Sequence, residues 1–199
     1  MPVPLEARSR KRVAAVSCMV GAMGDDADRF CSLDVDGAVA RLTLNRGEQR
    51  NAFSIELLGA LHERLDDLER MLGVGGDGLE ARPTEARPTG EGESGGEGLR
   101  VLVVTGADPC FAAGMDLKQV IIEHSGPELP GRLLHELGRL TLRLRALPLV
   151  TVARVNGAAI GGGCGLACAC DIAVSHADAK IGYPEVDLGL CPCARSAGA

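Results

Sequence analysis

The stretch VTVARVNGAAIGGGCGLACACD, residues 150–171, constrains the fold more tightly than any other part of the chain. A β-branched apolar run ends at Asn156-Gly157, crosses Gly161, Gly162 and Gly163, and enters a segment built of small residues. This order predicts a strand, a turn and a helix over 162–169. Consecutive glycines let the main chain approach a ligand or another backbone closely, and a helix start turns unpaired N–H groups toward it. Amides in that position can hold an oxyanion. The same string also serves as a plain packing joint between helix and strand, and a glycine cluster alone does not separate the two.

Two further segments share the design. Residues 100–118, RVLVVTGADPCFAAGMDLK, give a buried-strand run, a turn, and then Phe111-Ala112-Ala113-Gly114-Met115-Asp116. Asp116 suits the N-cap of a following helix, and Ala113-Gly114 is small enough for a ligand to lie along the main chain. LTLNRGEQRNAFS at 42–54 is another strand leading through a turn to a helix capped by Ser54.

Periodicity extends the pattern. Residues 30–44 read as two short strands around Asp36-Gly37. From Ser54 to Leu72, Leu57, Leu58, Leu61, Leu65, Leu68 and Leu72 recur at helical spacing. Glu63, Arg64, Asp67 and Arg70 are expected on the opposite, solvated face. A strand at 100–105 precedes a short helix from Asp116 and an amphipathic helix at 129–146, closed by Pro148. Strands follow at 149–155, 171–175 and 180–182. Strand–helix alternation predicts an α/β fold with mostly parallel pairing.

Between the first helix and the 100–105 strand lies GVGGDGLEARPTEARPTGEGESGGEG, 73–98, with EARPT repeated at 80–84 and 85–89. Nothing in it can form an apolar face, so it reads as a disordered surface insertion without catalytic role. Loop-closure entropy rises slowly enough with length for such an insertion to be tolerated. Residues 1–29 form an extension in which Arg8, Arg10, Lys11 and Arg12 precede VAAVSCMVGAM. An organellar targeting segment, the start of a secretory signal and an unstructured arm all fit it.

At 199 residues the chain is long enough for one domain with a sizeable core. With a single tyrosine, three phenylalanines and no tryptophan, that core must be aliphatic. A net charge of −6 gives no reason to expect nucleic-acid binding. Every apolar run is broken by Arg, Asp or Gly well short of membrane-spanning length. Eight cysteines are present without paired C-x₂-C spacing or a histidine pair to complete a zinc site, so no metal is expected. They read as reduced thiols of an intracellular protein, which argues against secretion.

The three turn segments, together with IGYPEVDLGL at 181–190, resemble the crotonase superfamily, the enoyl-CoA hydratase/isomerase family, over about residues 32–192. The resemblance implies a spiral of ββα units with mostly parallel strands, a core spanning 30–192 and an acyl-CoA thioester as substrate, with no separate cofactor. It places oxyanion-holding amides on Met115 and Gly162 and the acid–base carboxylate on Glu185. It lays coenzyme A along Ala52, Ala113, Gly114, Asp116, Leu117 and Gly161. Family hydratases carry a second glutamate in the helix after the glycines; here that position is Gly165, which has no side chain. The expected reaction is hydration of a 2-enoyl-CoA, with double-bond isomerisation by Glu185 alone, or acyl-CoA binding without turnover, as alternatives. The resemblance further implies a homotrimer or hexamer in the cytoplasm or mitochondrion. Family members continue beyond ARSAGA into C-terminal helices, so residues 193–199 read as an irregular tail where that helical segment is missing. His62, His124, His135 and His176 sit in no motif and read as surface or boundary residues.

Overall fold

The computed structural model describes residues 26–74, 98–122 and 129–188. The Gly- and Glu-rich insertion (apart from its ends), His124 and the tail lie outside them. A hairpin opens the fold: β1 (Cys31–Asp36) pairs antiparallel with β2 (Val39–Leu44) across Gly37-Ala38. Helix α1 (Ile55–Leu72) starts at Ser54, whose hydroxyl accepts from the Leu57 amide at 3.2 Å, and stops at Gly73 in a left-handed conformation. Strands β3 (Val101–Gly106) and β4 (Cys110–Ala112) precede helices α2 (Leu117–Ile122) and α3 (Leu129–Ala146). Then come β5 (Val150–Val155), β6 (Ala158–Ile160), α4 (Gly162–Ala169), β7 (Ile172–Ser175) and β8 (Ile181–Gly182). A 3₁₀ turn over Pro184–Leu188 ends the described chain.

The strands sort into two sheets. One has the order β1-β2-β3-β5-β7, parallel apart from the opening hairpin; the other has the order β4-β6-β8 and is wholly parallel. Each of β3, β5 and β7 therefore hands the chain to a short strand of the second sheet before a helix or 3₁₀ turn carries it onward. Parallel neighbours need such crossovers, and the expected spiral of ββα units follows from this repetition. Strands β4 and β6, CFA and AAI, escaped the sequence reading because three residues are too few to show a period.

The core is aliphatic. Leu57, Leu58, Leu61, Leu65 and Leu68 of α1 and Leu133, Leu140 and Leu144 of α3 are buried, with Phe53 and Phe111 the largest fully enclosed side chains. Removing each such side chain from water stabilises the fold by about 1.5–3 kcal/mol. One expectation for α1 fails: Arg64 is buried rather than solvated. Its guanidinium pairs with Asp67 at 2.9 Å and reaches Asp28 at 3.9 Å, in the 3₁₀ turn Asp26–Arg29 that packs on this helix. Helical spacing alone located the stripe but not this turn covering the helix's other side. Between α1 and α3, Arg143 bonds Glu69 at 2.8 Å and contacts the His62 ring at 3.1 Å, so His62 is a boundary residue.

Candidate active site

Two turns meet at the top of the second sheet, each beside a glycine in the left-handed region: Gly114 (φ 87°) and Gly161 (φ 55°). In the first turn, the Phe53 amide donates to the Gly114 carbonyl at 2.7 Å and the Asp116 amide to the Phe53 carbonyl at 2.9 Å. In a parallel pairing of this kind, the intervening Met115 N–H points away from Phe53. The two turns stand against each other: a Cβ built on Gly114 would lie 3.5 Å from the Gly162 nitrogen and 2.9 Å from the Ile160 carbonyl oxygen. Gly162 is the first residue of α4, whose Gly161 cap offers no side-chain acceptor. Among the described residues, neither the Met115 nor the Gly162 amide donates to any acceptor.

Each glycine of the triplet answers a different neighbour. A side chain on Gly161 would overlap the Glu185 carboxylate, and one on Gly163 would overlap the Ala112 carbonyl. A Cβ on Gly162 would lie 2.7 Å from Leu137 Cδ2 and 3.3 Å from the Phe53 ring. The triplet is thus a packing joint, one of the two readings of the sequence. The Gly161 amide donates to the Gly182 carbonyl at 2.8 Å, which ties the turn to β8 and brings in the strand end that carries Tyr183 and Glu185.

The carboxylate sits over this turn. Glu185 Oε2 is buried and has no hydrogen-bond partner among the described residues. Beside it lie Tyr183 and the α4 thiols. Burial, then the neighbouring Cys164 and Cys168, push the Tyr183 phenol up to about 12. Burial first, then Cys168, also raises the Cys164 thiol. At neutral pH both groups keep their protons, so Cys164 offers no thiolate nucleophile.

The first turn is braced by side chains that the sequence reading passed over. Arg46 Nη1 donates to the Ala52 carbonyl at 2.6 Å and Nη2 pairs with Asp116 Oδ2 at 3.1 Å. Buried Asn51 donates to the carbonyls of Ala107 at 2.8 Å and Cys110 at 2.6 Å. Arg50 and Asn51 both adopt positive φ, and Asn is among the few non-glycine residues that do so readily. The signal for Asn51 was therefore present in the Arg50-Asn51 pair. Tyr183 could have been singled out as the one tyrosine of the chain.

Of the residues singled out from sequence, Gly114, Met115, Gly161, Gly162 and Glu185 come together around the two amides. Asp116 has its carboxylate engaged by Arg46 and, through Oδ1, by the Lys118 and Gln119 amides at 3.2 and 3.4 Å, as expected of a helix cap. Ala113 donates its amide to the Arg50 carbonyl at 3.0 Å, while Ala52 rests under Arg46 and Leu117 is exposed.

Residues 94–197 match the family model described as Enoyl-CoA hydratase/isomerase. The 2,3-dehydroadipyl-CoA hydratase of Escherichia coli is 34% identical over 154 residues, covering 77% of this chain and 49% of that protein. The chain belongs to the enoyl-CoA hydratase/isomerase family. The enoyl-CoA isomerase/hydratase fer4 of Mycosarcoma maydis is 35% identical over 155 residues, 77% of this chain and 50% of the relative. Among solved structures, Pseudomonas aeruginosa AtuE superposes with a TM-score of 0.64 at 34% identity, covering 83% of this chain and 55% of that one. Enoyl-CoA hydratase from Bacillus anthracis gives 0.63 at 28% identity, covering 83% of this chain and 54% of that one. The fold is thus that of the crotonases. The chain spans about half the length of the family relatives it matches. No helix among the described residues is long and apolar enough to cross a membrane.

Proposed function

We propose that the protein hydrates a 2-enoyl-CoA thioester, with the amides of Met115 and Gly162 holding the thioester oxygen and Glu185 acting as base toward water. The observation that supports this most is the Glu185 carboxylate lying directly over Gly161, one residue from an unpaired amide and beside the turn that supplies a second. When water adds to the double bond, negative charge develops on the thioester oxygen. Two fixed N–H donors stabilise that charge, each contributing roughly 2.7–4 kcal/mol in comparable sites. Glu185 removes a proton from water as oxygen bonds to Cβ, then returns a proton to Cα and ends ionised as it began. Ala52, Ala113, Gly114, Asp116, Leu117 and Gly161 are proposed to carry the coenzyme A portion, and no further cofactor enters the reaction. The full-length form is proposed to assemble as a homotrimer or hexamer in the cytoplasm or mitochondrion.

The test is turnover of crotonyl-CoA by the full-length protein, followed through loss of the conjugated thioester. Glu185→Gln keeps the shape and removes the base, and turnover is expected to fall roughly 10²- to 10⁴-fold. Unchanged turnover in this variant defeats the mechanism. A second reading, movement of a 3-enoyl double bond, is favoured by the bare Gly165, since one carboxylate suffices to carry a proton between two carbons. Conversion of a 3-enoyl-CoA without any 3-hydroxyacyl product decides for that reaction.

A further inference from the structure

A buried carboxylate oxygen without a donor is costly, and Glu185 Oε2 is one. The Tyr183 phenol stands over the same face of α4 one turn on: a Cβ on Gly161 would lie 3.4 Å from Glu185 Oε2, and one on Gly165 would meet the Tyr183 oxygen. No direct bond joins the hydroxyl to Oε2. The hydroxyl comes to this place because Gly165 leaves room for it: a Cβ at that position would stand 3.2 Å from the Tyr183 oxygen. Any larger side chain on that face of α4 would displace the phenol. A hydroxyl and a carboxylate set one helix turn apart over the same face, without touching, are suited to a molecule that accepts from one and donates to the other.

We infer that Tyr183 and Glu185 hold the attacking water between them, the phenol donating to the water oxygen while the water donates to Glu185 Oε2. This rests on the hydration reading above. In the step, a water O–H bond breaks toward Oε2, the water oxygen bonds to Cβ, the C=C π pair moves onto the thioester oxygen, and Glu185 returns a proton to Cα. Tyr183 gains and loses nothing. Its phenol is a water-positioning group that stays protonated at neutral pH, so it does not compete with Glu185 as the base. Cys164 is a poorer candidate, because a thiol donates weakly.

The experiment uses Tyr183→Phe in the full-length protein. Hydration of crotonyl-CoA is expected to drop roughly tenfold or more in kcat with KM held within about twofold. Exchange of the α protons of butyryl-CoA with solvent deuterium should be unchanged, because that reaction uses Glu185 and the two amides but adds no water. Unchanged hydration, or exchange and hydration falling together, overturns the inference. A readout free of activity comes from Tyr183 being the only tyrosine. In Glu185→Gln its ionisation midpoint, followed by tyrosinate absorbance of the folded protein, should move down; an unmoved midpoint also overturns the inference. If the midpoint moves but the wild-type protein never hydrates crotonyl-CoA, the reaction assignment falls, and the water's role with it, while the Tyr183–Glu185 contact stands.

Discussion

The two turns present the same thing, a free amide beside a glycine of positive φ, and are held in opposite ways. The Gly114-Met115 turn is fixed by long polar side chains: Arg46 clasps Asp116 and the Ala52 carbonyl, and Asn51 ties down Ala107 and Cys110. The Gly161–Gly163 turn has no side-chain hydrogen bond of this kind: one backbone bond ties Gly161 to β8, and the Glu185 carboxylate, the Leu137 and Phe53 side chains and the Ala112 carbonyl are each pressed against one glycine. One turn is positioned by hydrogen bonds that survive small shifts. The other is positioned mainly by excluded volume, which tolerates little. The difference teaches where substitutions should hurt.

The largest effect is expected where backbone meets backbone. Gly163→Ala would drive a methyl group into the Ala112 carbonyl, which cannot rotate away. A loss of about 3 kcal/mol in urea unfolding is expected. A loss under about 1 kcal/mol would show that the second turn is not sterically fixed.

Asn51→Ala comes next. It strips donors from two carbonyls, one of the bonds fully buried, and leaves alanine in a left-handed conformation. About 2 kcal/mol should be lost. Asn51→Gly should recover part of this, because glycine relieves the backbone strain but restores no hydrogen bond. Equal losses in the two variants would mean that strain contributes nothing there.

Arg46→Met should cost about 1 kcal/mol, since its ion pair with Asp116 lies near the surface and solvent screens part of it. Its clearer signature is salt dependence: the difference from wild type should shrink as ionic strength rises.

The smallest effect, nil at neutral pH, belongs to Tyr183 beside the second turn. Its folded-state pKa is raised from 10.0 to about 12, so the folded protein holds the proton more tightly than the unfolded chain. Stability from this group is complete below pH 10 and is lost as pH climbs from 10 to 12. In Tyr183→Phe that part of the alkaline loss should vanish. Buried Cys31, likewise raised to about 12, titrates in the same direction and supplies a background common to both proteins.

Much of this was legible in the chain. The leucine stripes of α1 and α3 located both helices, because burial of one face imposes a helical period over many residues. Ser54 and Asp116 marked helix starts, because a cap needs a short oxygen-bearing side chain at a defined position. The glycine triplet and Gly114 pointed to the two turns. Arg64 was misplaced because its partner Asp28 lies far away in sequence and no local period announces it. Strands β4 and β6 stayed hidden because they are too short to show a period and their ladders run to each other and to β8, distant in sequence.

The sequence by itself determined the long helices, most of the strands and where the backbone can bend tightly. Those properties depend on side-chain volume, periodicity and local hydrogen bonding, all of them short-range. Only the tertiary structure decided that the Gly114 turn stands against Gly162, that Glu185 closes over Gly161, and that Tyr183 takes the space beside Gly165. These contacts join residues from three successive turns of the spiral. Their distances are set by parallel strand register and helix packing, which no local stretch of the chain encodes.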